Sequence, residues 1–259
     1  MKQPNFSTVT EISGDNVSAE QIGRAVQRYA WAASLSKGRD VLEIACGTGQ
    51  GLGLLAASAR SVAAGDIDPN LVARAKAHYG ERFRIAIMDA AEIPFSVASL
   101  DVIILFEAIY YLPDVPRFLA ECHRVLRPGG QLLLCTANKD LVDFNPSPFA
   151  VRYYGVRELA DVLRHAGFDA AFLAGWPMAE ASLRQRALRP AKRLAVNLGL
   201  MPRTMDGKKL LKRLVFGKLQ AMPAELTVAH APYQPPSPIP QHCADTRHSV
   251  IYCVAERPT

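Results

Sequence analysis

The stretch Val41 to Ala56, VLEIACGTGQGLGLLA, decides the fold. Val41, Leu42, Ile44 and Ala45 form a short, nearly continuous apolar run, as a parallel strand buried on both faces requires. Gly47, Gly49 and Gly51 follow, and a helical pattern opens at Leu52. Glycine admits positive φ and lets a ligand approach the backbone. The helix behind the turn points free N–H groups at the same place. A dinucleotide pyrophosphate asks for G-x-G-x-x-G. Here Leu52 stands where the last glycine is required, and Glu43, four residues before Gly47, would repel a phosphate. The pattern acid-x-x-x-G-x-G suits a zwitterionic ligand, because a carboxylate helps to hold an ammonium.

Downstream, acids recur at strand ends. Ser61 to Asp66 reads as a second strand closing on an acid, and Asp68 caps a helix that starts at Pro69. An acid at that position can accept two hydrogen bonds from a ribose diol, in NAD and in other nucleosides alike. Phe83 to Met88 is a third strand and Asp89 follows it, in MDAAEIPF. Leu100 to Glu107 is a fourth strand, continued by Ala108-Ile109-Tyr110-Tyr111-Leu112. Val115 to Leu126 has helical spacing and is stopped by Arg127-Pro128-Gly129-Gly130, after which Gln131 to Thr136 is a fifth strand. In an open α/β sheet the strand carboxyl ends line the ligand crevice, so Glu43, Asp66 and Asp89 point to one site.

In order and spacing these elements resemble the class I S-adenosylmethionine-dependent methyltransferases. VLEIACGTG is similar to that family's first motif, GDIDPNLVARAK to its second, MDAAEIPF to its third, and HRVLRPGGQLLL, His123 to Leu134, to its recurrent R-V-L-K-P-G-G turn. The resemblance implies a Rossmann-like, seven-stranded, mostly parallel sheet with helices on both faces and an antiparallel last strand. It implies S-adenosyl-L-methionine as cofactor and S-adenosyl-L-homocysteine as product. The cofactor residues it suggests are Tyr29 from a helix that closes over the site, and Glu43, Ala45, Cys46, Gly47, Thr48 and Gly49 from the first motif. Asp66 would take the ribose, Ile67 the adenine face, Met88, Asp89 and Ala90 the adenine edge, and Phe106 and Glu107 would contribute backbone. Where the family often carries a histidine pair, this chain has Tyr110-Tyr111, which are expected with Tyr153 to wall the acceptor pocket. His230, His242 and His248 lie in or beside an insertion, and His242 is the candidate base beside Tyr110 and Tyr111. N/D-P-P-Y, the motif of amino-methylating nucleic-acid enzymes, is missing.

The rest of the chain sets the frame. A polar arm covers 1–17, and Ser18-Ala19-Glu20-Gln21 is a capping box opening a helix with Ile22, Val26, Tyr29 and Ala33 on one face. Arg24 and Arg28 lie one turn apart on it. The cofactor-binding core is expected over 18–174, with a helix at Gly155 to Gly167 and a sixth strand at Phe168 to Ala174. An insertion covers 175–247, and the last strand, His248 to Ala255, belongs to a core segment 248–259. Between Met178 and Gln220 stand eleven Lys/Arg and two acids, a net +9 in a chain whose net charge is +6. GKKLLKRLVFGKLQAM, Gly207 to Met222, has helical amphipathicity with a basic face. Such a helix serves as a solvated lid, grips an anionic ligand or lies on an anionic membrane. Ala231 to Pro240, APYQPPSPIP, reads as a stiff connector.

The 259 residues suit one α/β domain with an insertion. The five cysteines show no zinc spacing and read as reduced thiols. The N-terminus lacks an apolar signal segment, and a cytoplasmic enzyme is expected. The function expected is methyl transfer to an O or N of a small molecule, such as an anionic, sugar-linked or lipid-linked acceptor of sugar or natural-product biosynthesis. Nucleic acid is disfavoured as a partner, because few aromatics accompany the basic residues. The alternatives are an NAD-dependent oxidoreductase and a non-catalytic S-adenosylmethionine-binding protein using the basic insertion to hold a partner.

Overall fold

The structure, a computed structural model, describes residues 10–142, 144–147, 149–177 and 219–259. The chain opens with β1 (Asn16–Ser18) and α1 (Ala19–Leu35). The Ser18 hydroxyl accepts from the Gln21 amide at 3.2 Å, and the Gln21 side chain accepts from the Ser18 amide at 2.9 Å, which completes the expected capping box. Next come β2 (Asp40–Ile44), α2 (Leu52–Ala56), β3 (Ser61–Asp66), α3 (Pro69–Tyr79), β4 (Arg84–Ile87), β5 (Leu100–Phe106) and α4 (Val115–Val125). The chain continues through β6 (Leu126–Ala137), α5 (Val156–His165), β7 (Asp169–Pro177), β8 (Leu219–Ala221), β9 (Ser237–Ile239) and β10 (His248–Glu256).

The main sheet runs β4-β3-β2-β5-β6-β10-β7-β9. Strands β4 to β6 are mutually parallel, and β10 runs antiparallel between β6 and β7. All seven expected strands are present. An eighth, β9, lies within the expected connector and pairs antiparallel with β7 at the sheet edge. The chain leaves β2 toward β3 and β4, then returns to lay β5 on its other side. That reversal opens the crevice where open α/β sheets take ligands.

Side-chain alternation divides β2 between two cores. Leu42 and Ile44 pack with Phe118, Leu119 and Leu163 beneath α4 and α5. Val41 joins Val26, Trp31, Leu52 and Leu55 beneath α1 and α2. Glu43 shares the Val41 face and is carried under α1, deep in an apolar layer. Burial of such leucines and valines stabilises by about 1.5–3 kcal/mol each.

Three expectations are corrected. The basic helix Gly207 to Met222 lies outside the described residues as far as Lys218, but Leu219–Ala221 is a strand, β8, paired antiparallel with β1. Its backbone donors and acceptors are met by a segment two hundred residues earlier rather than within a helix, and Met222 is buried as the chain turns inward. The α4 helix stops at Val125 and β6 starts at once at Leu126, so Arg127–Gly130 belongs to a strand with a register shift against β5. The sixth strand runs on to Pro177, inside the expected insertion. Among the described residues no helix is long and apolar enough to cross a membrane.

Phe118 is fully buried at the centre of one core. Phe118→Ala is expected to lower unfolding free energy by about 3–5 kcal/mol, seen as a lower denaturant midpoint at constant slope. A loss under about 1 kcal/mol would mean this layer is not the packed core described.

Candidate active site

A cavity of about 660 Å³ opens at the carboxyl ends of β2, β3, β4 and β5, a size typical of small-molecule sites. Asp66 closes β3 and is 5% exposed. Its Oδ2 accepts from the Gly47 amide at 2.8 Å, and its Oδ1 accepts from the Asp68 amide at 2.9 Å. One carboxylate thereby locks the glycine turn to the neighbouring strand. Burial pushes its pKa up, and the backbone N–H bonds oppose this. Each oxygen keeps a further lone pair, and the residue lies on the cavity wall, so it can accept from vicinal hydroxyls. Ile67 beside it is 40% exposed, an open apolar surface of the kind a flat base covers. Met88, Asp89 and Ala90 form the adjoining wall, and the Asp89 Oδ1 accepts from the Ala91 amide at 2.8 Å.

Ala45, Cys46 and Gly47 bring the turn onto the wall, with φ of 57° at Ala45 and 59° at Gly47. Thr48 and Gly49 are not on it. The Thr48 hydroxyl accepts from the Ser13 amide at 3.1 Å, and the Tyr79 hydroxyl donates to the Gly49 carbonyl at 2.7 Å, so both shape the turn from behind. Glu43 also stands behind the wall. The Tyr29 hydroxyl, which is on the wall, donates to its Oε1 at 2.5 Å, while Oε2 is buried with no hydrogen-bond partner. Desolvation, with a further contribution from Asp66, pushes the Glu43 pKa from its ordinary 4.5 up to about 8, against the Tyr29 hydrogen bond. Glu43 is therefore a largely protonated acid at neutral pH that seats Tyr29, rather than an ionised group facing a ligand. Gly51 makes room for that tyrosine, since a Cβ there would lie 2.0 Å from its ring.

Past β5 the wall becomes aromatic. Phe106 packs edge-on to Tyr29 at 5.5 Å. Glu107 has φ of 51°, a left-handed conformation costly for a non-glycine residue and typical of functional positions. Arg28 Nη1 donates to its Oε1 at 3.2 Å and the Tyr110 hydroxyl to its Oε2 at 3.1 Å. Tyr110 and Tyr111 line the cavity. Tyr153 does not, but it stacks on Tyr110 at 4.4 Å and supports it from behind. Burial first, and then Glu107, raise the Tyr110 pKa, so its phenol stays protonated.

The histidine expectation is corrected. His242 is exposed and absent from the wall. It follows β9, the outermost strand on the side away from β4, whereas the cavity lies over β2 to β5. His230 is tied to the Thr227 amide at 2.9 Å and His248 to Asp245 at 2.8 Å, and neither lines the cavity.

The roof was not legible in the sequence. Thr10, Glu11 and Ser18 cover the site together with Met222 and Leu226. The Gly14 amide donates to the Met222 carbonyl at 2.9 Å and the Met222 amide to the Asp15 carbonyl at 2.8 Å. Gln50 clasps both halves: its Nε2 donates to the Glu11 carbonyl at 2.5 Å, and its own carbonyl accepts from the Leu226 amide at 2.7 Å. A glutamine placed between two turn glycines was the available signal. Nothing local marked the partners of β1.

Glu43 binds a proton in the folded protein across the interval from about pH 4.5 to about 8, where the unfolded chain does not. Stability should therefore fall as pH rises through that interval. Glu43→Gln should flatten the fall, as followed by melting temperature at successive pH values. An identical slope in both proteins would contradict the buried-acid assignment.

A family described as a methyltransferase domain matches residues 42–134, the span from β2 into β6. A probable S-adenosylmethionine-dependent methyltransferase of Mycolicibacterium smegmatis is 41% identical over 147 residues, covering 54% of this chain and 56% of the relative. The 27-O-demethylrifamycin SV methyltransferase of Amycolatopsis mediterranei is 30% identical over 177 residues, covering 66% of this chain and 61% of the relative. The chain thus spans little more than half the length of these relatives. In fold, an S-adenosylmethionine-dependent methyltransferase from Thermotoga maritima superposes with a TM-score of 0.59 at 14% identity, covering 92% of each chain. The glycine turn and the strand-tip acids lie within or beside the span that matches a methyltransferase domain, and the fold agrees with that likeness.

Proposed function

We propose that this protein transfers the methyl group of S-adenosylmethionine to a hydroxyl oxygen of an uncharged, largely apolar small molecule. When bound, the cofactor supplies an electrophilic methyl carbon on a sulfonium. Asp66 would accept from the ribose diol, Ile67, Met88 and Ala90 would enclose the adenine, Asp89 would receive its amino group, and the backbone at Gly47, Phe106 and Glu107 would meet the amino-acid end. Tyr29 closes this end under α1.

The observation that carries the acceptor class is the wall beyond Glu107. Tyr110, Tyr111, Leu112, Pro113, Val250 and Met222 make it aromatic and apolar. Among the described residues the cations on the wall are Arg24 and Arg28, and each is already paired with a carboxylate, Glu20 at 2.6 Å and Glu107 at 3.2 Å. Glu11, Asp66 and Asp89 add further acid. An anionic acceptor would meet repulsion here, whereas a neutral hydroxyl compound meets apolar surface and a hydrogen-bond acceptor. The rifamycin-related relative, whose name specifies an oxygen of a bulky natural product, supports the same choice. The chain's part is to align the acceptor and exclude water, and alignment alone lowers barriers by several kcal/mol.

Calorimetry with S-adenosylhomocysteine and with NAD tests the cofactor half. Binding of the first and not the second is expected, and Asp66→Asn should weaken it about 10- to 100-fold, the worth of hydrogen bonds to a charged acceptor. Binding of NAD alone would favour the oxidoreductase alternative and end this reading. A mass gain of one methyl group on hydroxylated acceptors tests the transfer half, and cofactor binding without any transfer would leave a binding protein.

A further inference from the structure

Glu107 lines the cavity, and three hydrogen bonds fix it, one through its backbone and two through its carboxylate. Its amide donates to the Cys135 carbonyl at 2.8 Å, fixing the left-handed turn that carries it. Arg28, from α1, holds one oxygen and Tyr110, from the following turn, holds the other. Both oxygens are anchored, and the side chain remains 26% exposed on the cavity wall. The other acids on the wall have other parts: Asp66 and Asp89 are assigned above to the ribose and the adenine, Glu20 pairs with Arg24, and Glu11 accepts from Gln21 at 2.5 Å. No described histidine reaches the cavity.

The geometry points to Glu107 as the catalytic base, the group that takes the proton of the acceptor hydroxyl, an inference that rests on the methyl-transfer reading above. The acceptor O–H bond breaks toward a Glu107 oxygen. The freed electron pair forms the O–CH3 bond as the S–CH3 bond breaks, its pair left on sulfur as a neutral thioether. Glu107 then loses the proton to water. Arg28 and Tyr110 are positioning residues: they fix the carboxylate so that an unused lone pair faces the acceptor. The charged and titratable groups around Glu107 are Arg28 on α1, Tyr110 and Tyr153 beyond β5, Cys135 on β6 and Tyr252 on β10. Burial raises the tyrosine and thiol pKa values, leaving Arg28 as the one charge in this set facing the carboxylate.

The test uses the full chain, S-adenosylmethionine, and two neutral probes, 4-phenylphenol and 1-decanol, in single turnovers with excess enzyme read by mass. Glu107→Gln keeps size and shape, and is expected to lower the rate about 100-fold or more, the usual contribution of a positioned base. KM for the probe should hardly change, and an acid limb, expected in the wild-type rate, should be absent from the variant. Glu107→Asp should retain part of the rate and keep the acid limb. S-adenosylhomocysteine affinity by calorimetry should change far less than the rate in both variants, since the cofactor contact assigned to Glu107 is through its backbone. A Glu107→Gln variant with near wild-type rate, or with its acid limb intact, overturns the inference and leaves the methyltransferase reading standing. So does a loss of S-adenosylhomocysteine affinity in step with the rate, which would make Glu107 a cofactor residue. A wild-type protein that binds S-adenosylhomocysteine yet methylates neither probe removes the hydroxyl-transfer reading, and this inference with it.

Discussion

The Asp66 carboxylate, gripping the amides of Gly47 and Asp68, is the interaction on which the site depends. It spans two parallel strands at their tips, where the sheet leaves backbone N–H groups without ladder partners. By meeting two of them, a single side chain sets the path of the glycine turn and the start of α3. The same oxygens retain lone pairs on the cavity wall, so the residue that makes the structural tie can also accept from a ligand. A buried carboxylate is costly unless it is well hydrogen-bonded, and these amides meet that condition.

Around this tie the molecule sorts its acids by depth. Glu43, carried inward by strand alternation, is neutralised by burial and holds Tyr29 in place. Asp66 is buried yet bonded, and Glu107 is partly buried and clamped by a cation and a phenol. Three carboxyl groups at adjacent strand ends thus differ in their surroundings: a buried prop, a hydrogen-bonded hook and a partly buried, clamped carboxylate. The roof joins the residues before α1 to those after β8 through Gln50, so the glycine turn also holds the cover over the cavity.

Local signals explain what was legible in the sequence. The β2 and β3 strands, the Ser18 and Asp68 caps and the glycine turn are written in neighbouring residues, and they stand where short-range chemistry put them. Most residues of the first three motifs reach one cavity for the same reason. What escaped depends on distant partners. The pairing of Asn16–Ser18 with Leu219–Ala221 leaves no period in either segment, and the leucines before it invited a helical reading of Leu219–Met222. His242 was suggested by its residue type, but its place at the far sheet edge follows from topology alone. The raised pKa of Glu43 has no local signal either, because it comes from the depth at which β2 carries the side chain under α1.

The most direct measurement is a crystal structure of the protein with S-adenosylhomocysteine. The account predicts the ribose hydroxyls on the Asp66 carboxylate, the adenine against Ile67, and the sulfur turned toward the space bounded by Glu107 and Tyr110. A nucleoside seated away from Asp66, or a sulfur facing away from Glu107, would contradict it.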